Sequence, residues 1–469
     1  MVERAAIQEL LDRIARLEAE LARRERELSA KDERIAELER IVGELQRRGK
    51  RQAAPFSKGA PSLNPKPPGR KPGEGYGRQA RAQTPRRVDE TIQVPCPVRC
   101  GHCQGRVKLA GAGRQYVVDL PKVRPLVTRF DVDYGYCEDC GRRAQGRHAR
   151  QTSDALEVGT VQAGPGVVAF AAFLNKVGGL SYGKTAAVIE QMAGLRLARS
   201  TYCRALLRLA GRAEATYQGL LDSVRQSPVV YPDETGWHIG GWNAWLWTVA
   251  TPQATVYAIE RGRGYQEAAR LLGADFSGVI GADGWAAYRR FKDADHQTCL
   301  AHLLRRCREM IDVSWGRGRT FPARVRDVLR QGLAVRDRLL AGEIGPHGAR
   351  VARGRLLSRL DQLTEQAFVS DSNRRLAAHL RRNRAALFFF MDRHDVEATN
   401  WPAEQAIRPA VVNRKVWGGS RTAAGAHAQA VLMSIIRTAQ QRLRDPINIL
   451  SRILRSPPAP HSLLPASQR

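Results

Sequence analysis

The spacing of hydrophobic positions changes several times along this chain, and each change predicts a different kind of element. Over residues 1–48, Ile7, Leu10, Ile14, Leu17, Leu21, Leu28, Ile35, Leu38, Val42 and Leu45 fall on alternating a and d positions of a heptad, with Arg24 and Lys31 filling the two remaining d positions. This predicts a coiled coil, the alternative being a solvated single helix with one apolar stripe. The period then vanishes through residues 49–90. From Arg47 to Arg87 there are 12 Lys or Arg, one acid and seven prolines, the composition of an extended basic linker. In residues 91–150, Tyr116 to Asp119 and Arg129 to Tyr136 read as short strands. A helical period returns over 155–225, where the stretch from Leu180 to Met192, a turn at Gly194, and a second stretch from Arg199 read as helix, turn and helix with Ser200 as a cap.

An α/β pattern begins at about 228. A strand ends at Asp233, Gly240 and Gly241 turn a hairpin into Trp242 to Ala250, and Thr255 to Ile259 supplies a third strand. A helix near Tyr265 to Leu272 crosses to the strand before Asp283, another helix leads to His296-Gln-Thr, and a long helix opens at Ala301. Arg-rich amphipathic helices such as Ala323 to Leu340 and Ala349 to Ala367 predict a helical subdomain inserted at about 310–390 into a domain spanning 228–440, with 441–469 as a C-terminal tail.

Charge narrows the partner. With 76 Lys plus Arg against 46 Asp plus Glu, the formal charge of +30 over 469 residues suits a polyanion. The competing polyanion is a membrane surface. No run of about 20 apolar residues exists and the start is charged and helical, so the expectation is a cytoplasmic, nucleoid-associated protein with DNA as partner and no membrane. Five of the eight cysteines lie between 96 and 140, too clustered for a secreted disulfide scaffold. Cys100-Gly-His-Cys103 and Cys137-Glu-Asp-Cys140 are two CxxC knuckles able to aim four thiolates at one structural zinc in a zinc-ribbon module, with Cys96 or His102 as substitutes. Such a ribbon serves DNA or protein contacts.

Three carboxylates stand in separate phrases: Asp233 in Val-Val-Tyr-Pro-Asp-Glu-Thr-Gly-Trp, Asp283 in Gly-Val-Ile-Gly-Ala-Asp-Gly-Trp, and Glu404 in Asn-Trp-Pro-Ala-Glu-Gln-Ala-Ile-Arg-Pro. The first two follow apolar strands, and the third follows a cap at Asn400 and a first turn at Pro402. Any one of them alone would read as a turn or cap residue. Together they repel unless a divalent cation neutralises them, which predicts a site for two Mg2+ (or Mn2+) ions suited to phosphoryl transfer. Glu234 points to the opposite face if the strand continues. Candidate DNA contacts are Arg70 and Lys71 in a Pro-Gly-Arg-Lys-Pro hook or plain linker, Arg199, Thr201, Tyr202 and Arg204 at the exposed start of the second helix, and Arg408, Arg414 and Lys415 near the third carboxylate. Cys299-x-x-His302 could be half of a zinc site but lacks a partner pair. Among the tryptophans, Trp237, Trp242, Trp245 and Trp247 read as sheet core, with one reaching a displaced base as the alternative.

The phrases Asp-Glu-Thr-Gly-Trp at 233–237, Trp245-Leu-Trp, Asp-Gly-Trp-Ala-Ala-Tyr at 283–288, Cys299-Leu-Ala-His-Leu-Leu-Arg and Asn413-Arg-Lys-Val-Trp-Gly-Gly resemble the insertion sequence 66 family of bacterial transposases in wording, order and spacing. The resemblance implies an α/β RNase H-like catalytic core with an Asp-Asp-Glu triad. In that reading Asp233 bridges the two ions, Asp283 and Glu404 complete their shells, and His302 approaches the DNA or buttresses Asp283. It further implies binding of element terminal repeats and target DNA, a homo-oligomer joined by the coiled coil, and help from other element-encoded proteins. Asn400-Trp401 and Gln405 depart from the family's wording around the Glu. Two rivals remain: a zinc-dependent DNA-binding regulator with a dead catalytic domain, and an RNase H-type repair or resolution nuclease.

Overall fold

The computed structural model describes residues 13–14, 16–29, 31–35, 37–38, 84–120, 123–156 and 162–455. The described residues before 39 are helical, and of the heptad seam Ile14, Leu17, Leu21, Leu28, Ile35 and Leu38 are all exposed. Arg24, at a d position, is held by Glu20 one turn earlier at 3.1 Å. Ile7, Leu10, Val42, Leu45 and most of the basic linker, including Arg70 and Lys71, lie outside the described residues.

The chain divides into two compact units, residues 56–126 and the remainder. In the first, Arg99 and Arg106 form an antiparallel bridge around Cys100–Cys103. Tyr116 to Asp119, expected as a strand, has no regular structure, and its apolar side chains are exposed. In the second unit, β1 (Tyr134–Tyr136) and β2 (Arg143–Gln145) pair antiparallel around Cys137–Cys140. The expected strand from Arg129 thus shortens to the part that finds a partner.

Four helices follow: α1 (Pro165–Lys176), α2 (Tyr182–Ala193), α3 (Arg199–Arg212) and α4 (Glu214–Arg225). The third starts one residue earlier than expected, so Ala198 takes the cap position and Ser200 lies within the first turn. These helices share one core with the sheet: Val168, Leu206, Leu209, Leu220 and Val224 cluster with Val230, Trp247, Val256 and Ile280. They therefore form one face of the α/β body, where a separate DNA-binding region was expected, because their buried faces have no other apolar surface to cover.

The sheet contains β3 (Val229–Ile239), β4 (Trp242–Ala250), β5 (Thr255–Glu260), β6 (Val279–Ala282) and β7 (Asp295–Thr298), in the order β5-β4-β3-β6-β7. The first three strands pair antiparallel; β3–β6 and β6–β7 are parallel. The crossover to β6 contains α5 (Tyr265–Leu272), whose Glu267 reaches back to the N–H of Gly264 at 2.8 Å. A short 3-10 turn, Tyr288–Arg290, stands where a helix before β7 was expected, and Phe291 after it is buried in the core.

The opposite face of the sheet is covered by the Arg-rich helices α6 (Leu300–Val313), α7 (Thr320–Leu340), α8 (Pro346–Thr364) and α9 (Asp371–Arg382). Their Leu303, Val325, Leu357 and Leu376 cluster with Val229, Tyr231 and Val279. Then come α10 (Trp401–Trp417), α11 (Ala423–Gln441) and α12 (Pro446–Arg455). The last is no tail: Ile449, Leu450 and Ile453 are buried in the same core as α1. Helix α11 closes the edge strand β5, because Ser434 accepts the N–H of Tyr257 (2.8 Å), Thr438 accepts that of Thr255 (3.1 Å), and Gln441 accepts the Thr255 hydroxyl (2.9 Å).

Candidate active site and metal centre

Alternation along β3 decides which face each acid occupies. Val229 and Tyr231 belong to the core beneath α6–α9, and Val230 to the core beneath α1–α5. By period two, Asp233 follows the first set and Glu234 the second. The same parity runs through Val279 and Ile280 of β6 and directs Asp283 to the face of Asp233. Strand β6 pairs with β3 only at Val229 and Val230, so the strands part just before the two aspartates. Pro232, which cannot donate to a ladder on that side, fits this parting. The carboxyl ends of two diverging parallel strands make a crevice, and α10 starts beside it with Glu404 in its first turn.

Asp233 Oδ1 accepts the N–H of Glu234 at 2.9 Å, and Asp283 Oδ1 accepts that of Trp285 at 2.9 Å. Burial, then the charges of Glu234 and Asp283, push Asp233 up to about 7 despite its hydrogen bond. Glu404 Oε1 is buried with no hydrogen-bond partner, and His302 Nδ1 lies 3.5 Å from it. The His302 ring also meets Cys299 Sγ at 3.3 Å, a contact that, with Glu404 and Asp283, holds its pKa above the usual imidazole value. Cys299, His302 and Glu404 present ligand atoms within 4.8 Å of one another. An orphaned carboxylate oxygen and an aspartate whose charge is disfavoured by its neighbours are what a cation-binding site looks like before the cation is added.

Cys299 is the stitch of this crevice. Its N–H extends the β6 ladder to Ala282 (2.7 Å), and its thiol accepts the N–H of Asn400 at 3.1 Å. Asn400 stands at the cap position of α10, but its side chain makes no cap bond; Nδ2 donates to the carbonyl of Pro232 at 2.9 Å, fixing the helix start beside Asp233. On the other face, Glu234 is 2 % exposed and paired with Arg263 at 2.8 Å and with the Tyr288 hydroxyl at 2.7 Å. Burial still outweighs both partners and raises its pKa, so the pair fixes geometry more than it adds stability. The Arg263 guanidinium stacks between Trp245 (4.8 Å) and Trp285 (4.2 Å), and the Trp285 indole returns a hydrogen bond to the Arg263 carbonyl at 3.2 Å. The turn that carries Asp283 is thereby tied to the strand that carries Asp233.

Other expected site residues divide. Arg408 is exposed one turn beyond Glu404, and Lys415 is exposed further along α10. Arg414 is engaged by the strand, donating to Thr235 Oγ1 at 3.1 Å and to the carbonyl of Gly236. Arg199 and Arg204 are exposed and Thr201 half-buried, but Tyr202 is 0 % exposed and belongs to the core, which removes it from any base-reading face. Trp237 and Trp247 are buried as sheet core, whereas Trp242 at the hairpin is exposed under Arg261. Each CxxC knuckle turns its backbone toward a thiol: N–H groups of Cys103 and His102 lower the pKa of Cys100, and those of Cys140 and Asp139 lower that of Cys137. Donor turns of this kind suit zinc thiolates. Sequence reasoning missed Asn400 as a strand tie, the Arg263 relay, His379 packed on the turn after Asp283, and Arg306, whose charge acts on His379. For Arg306 the signal was present, four residues after His302 and hence on the same helix face.

A family model described as Transposase IS66 family matches residues 160–428, more than half of the chain. The chain belongs to that family. The match begins before α1 and ends within α11, so it takes in every element that builds the crevice. No curated protein matches the chain significantly. Membership of the IS66 family supports a transposase role and a DNA partner. Among the described residues, no helix is long and apolar enough to cross a membrane.

Proposed function

We propose that this member of the IS66 family is a metal-dependent DNA transposase that cuts at the ends of its element and joins the freed 3′ end to target DNA. What supports the reading is that Asp233 and Asp283 follow neighbouring strands onto one face, that the charge of Asp283 helps raise Asp233 to about 7, and that Glu404 Oε1 is orphaned at the start of α10. The strand order, three antiparallel strands extended by two parallel ones at β3, supports reading the sheet as RNase H-like. Asp233, Asp283 and Glu404 would hold two Mg2+ or Mn2+ ions, which supply a Lewis acid for the phosphoryl oxygens and lower the pKa of the attacking hydroxyl. Asp233, at the mouth of the strand parting, would be the central ligand, with Asp283 and Glu404 completing the set. Cys299 and Asn400 keep α10 seated, so Glu404 stays in line with β3. His302 braces Glu404 from the rear. Arg408, exposed one turn along α10, is placed to hold the backbone being cut.

The remaining parts serve DNA ends. The thiolates of Cys100, Cys103, Cys137 and Cys140 would be the ligands of one structural zinc in a zinc ribbon. The exposed heptad seam joins protomers in a coiled coil. Arg199, Thr201 and Arg204 face DNA, the basic linker tethers it, and accessory element-encoded proteins complete the assembly in a cytoplasmic, nucleoid-associated complex. Supercoiled-plasmid nicking followed by a strand-transfer assay tests the centre of this reading. Asp233→Ala, Asp283→Ala and Glu404→Ala should each abolish cutting and joining while DNA binding persists. Asp395→Ala, whose carboxylate pairs with Arg393, and Glu397→Ala, exposed before α10, should be nearly silent. Cutting without joining would identify a nuclease; binding without cutting would identify a regulator.

A further inference from the structure

One more charged cluster touches the crevice without belonging to the acid triad. On α6, Arg306 lies four residues after His302, about 6 Å further along the same face. It is half-buried, yet neither it nor Arg382 of α9 has a hydrogen-bonding or ion-pair partner among the described residues. The ionisable neighbours that act on Arg306 are Cys307 and another guanidinium, Arg375, while burial lowers its pKa. His379 stands on α9, three residues before Arg382. Its Nε2 is buried without a partner, and its ring is packed so closely on the turn after Asp283 that a Cβ on Gly284 would come within 3.0 Å of Cε1. Arg289 completes the group from the other side, donating to the carbonyl of Gly284 at 2.9 Å. Burial and the guanidiniums of Arg306, Arg289 and Arg382 push His379 down to about 4, so its ring is neutral at pH 7 and can donate from Nε2. Asp283 is an acid whose charge is felt at His379, and it is one of the proposed metal ligands.

We infer that Arg306, His379 and Arg382, with Arg289 at the rim, form a binding site for a DNA backbone phosphate next to the one being cut. A half-buried guanidinium with no acid to answer it, beside an unpartnered ring nitrogen and the exposed guanidinium of Arg382, calls for an anion that brings its own oxygens. A phosphodiester fits both: it offers two acceptors, and it arrives on the strand that must pass the carboxylates. The site also assigns a role to the inserted helices. Helix α9 supplies the far wall, so the insertion fixes where the strand leaves the metal site. This inference rests on the reading of the chain as a DNA-cutting enzyme.

The test couples protein to phosphate. Full-length wild-type protein, Arg306→Gln, Arg306→Lys and His379→Gln are titrated by fluorescence anisotropy against duplexes carrying a single uncharged methylphosphonate, scanned along the strand on both sides of the cut. Wild-type binding should weaken about tenfold at one position next to the cut, and Arg306→Gln should lose the same factor on unmodified DNA but be indifferent to that methylphosphonate. Arg306→Lys should restore most of the affinity, and the slope of log affinity against log salt should fall by about 0.9 in Arg306→Gln. Loss of an unanswered guanidinium should leave Tm unchanged or higher, which a structural role for Arg306 would not do. If nicking by the wild type is intact and no methylphosphonate position couples to Arg306 or His379, the phosphate site is refuted and the functional reading stands. If Asp233→Ala nicks as well as the wild type, the functional reading is what fails.

Discussion

In the metal-free protein Asp233 should oppose folding, and Asp233→Asn should therefore stabilise it. The carboxyl is pushed from an ordinary 3.8 to about 7. At roughly 1.4 kcal/mol per tenfold change in acidity, keeping it ionised in the fold costs about 4 kcal/mol. The sign follows from proton binding: between pH 4 and 7 the folded state holds a proton that the unfolded chain has lost, so stability is full below pH 4, declines as pH rises, and levels off above 7. Asn mimics the protonated acid without the charge. In EDTA, Asp233→Asn should gain about 1.5 kcal/mol at pH 5 and about 4 kcal/mol at pH 8, the latter a rise in Tm on the order of 5 °C. Magnesium should narrow the gap at pH 8 to about 1 kcal/mol, since it stabilises the wild type by about 2.7 kcal/mol at a hundredfold excess over Kd and does little for the variant. The measurement is urea and thermal unfolding at both pH values with EDTA or Mg2+. A variant no more stable than wild type in EDTA at pH 8, or one whose gain is equal at pH 5 and 8, would refute the account of the site as an acid cluster awaiting a cation.

Arg263→Met should leave the buried Glu234 charge with only Tyr288 and cost about 3 kcal/mol in urea unfolding, whereas Glu234→Gln with Arg263→Met should cost much less; a single variant within 1 kcal/mol of wild type would contradict this. Freshly purified protein should contain about one zinc per chain by elemental analysis, and Cys137→Ser should lose it; metal-free wild type would remove the ribbon from the reading. A peptide of residues 1–49 should be helical and associate in sedimentation, and Leu17→Pro with Leu38→Pro should make it an unstructured monomer. If the wild-type peptide remains a monomer at high concentration, the exposed seam has another use.

Much of the sheet was legible because period two and turn residues act locally. The hairpin at Gly240 and Gly241, helix α5 and the strands before Asp233 and Asp283 follow from a few consecutive side chains. The three candidate acids stood out through the phrases around them, which resemble the family, and not through period. What could not be read was anything decided by a distant partner. Tyr202 sits at a helix start in sequence, but the sheet core claims it. Asn400 has the chemistry of a cap, yet the carbonyl of Pro232 competes for its amide. The segment after 441 is short and basic, and only its docking on α1 makes α12 part of the body. Arg263 and His379 carry no local signal, since their roles depend on surfaces that the fold brings together.

The closure of β5 by α11 has a consequence for how the molecule comes into being. The hydrogen bonds from Thr255 and Tyr257 to Thr438 and Ser434 span 183 and 177 residues. Until α11 has been made, the edge of β5 is an open row of peptide groups, and contacts so distant in sequence form slowly. A nascent chain halted anywhere before about residue 440 would expose that edge to other chains and be prone to aggregate. Glu404 precedes α11 by only a few turns, so a truncated product would lack either its last carboxylate or the helix that keeps the sheet from associating. Completion of synthesis would thus act as a checkpoint on the appearance of the proposed DNA-cutting activity.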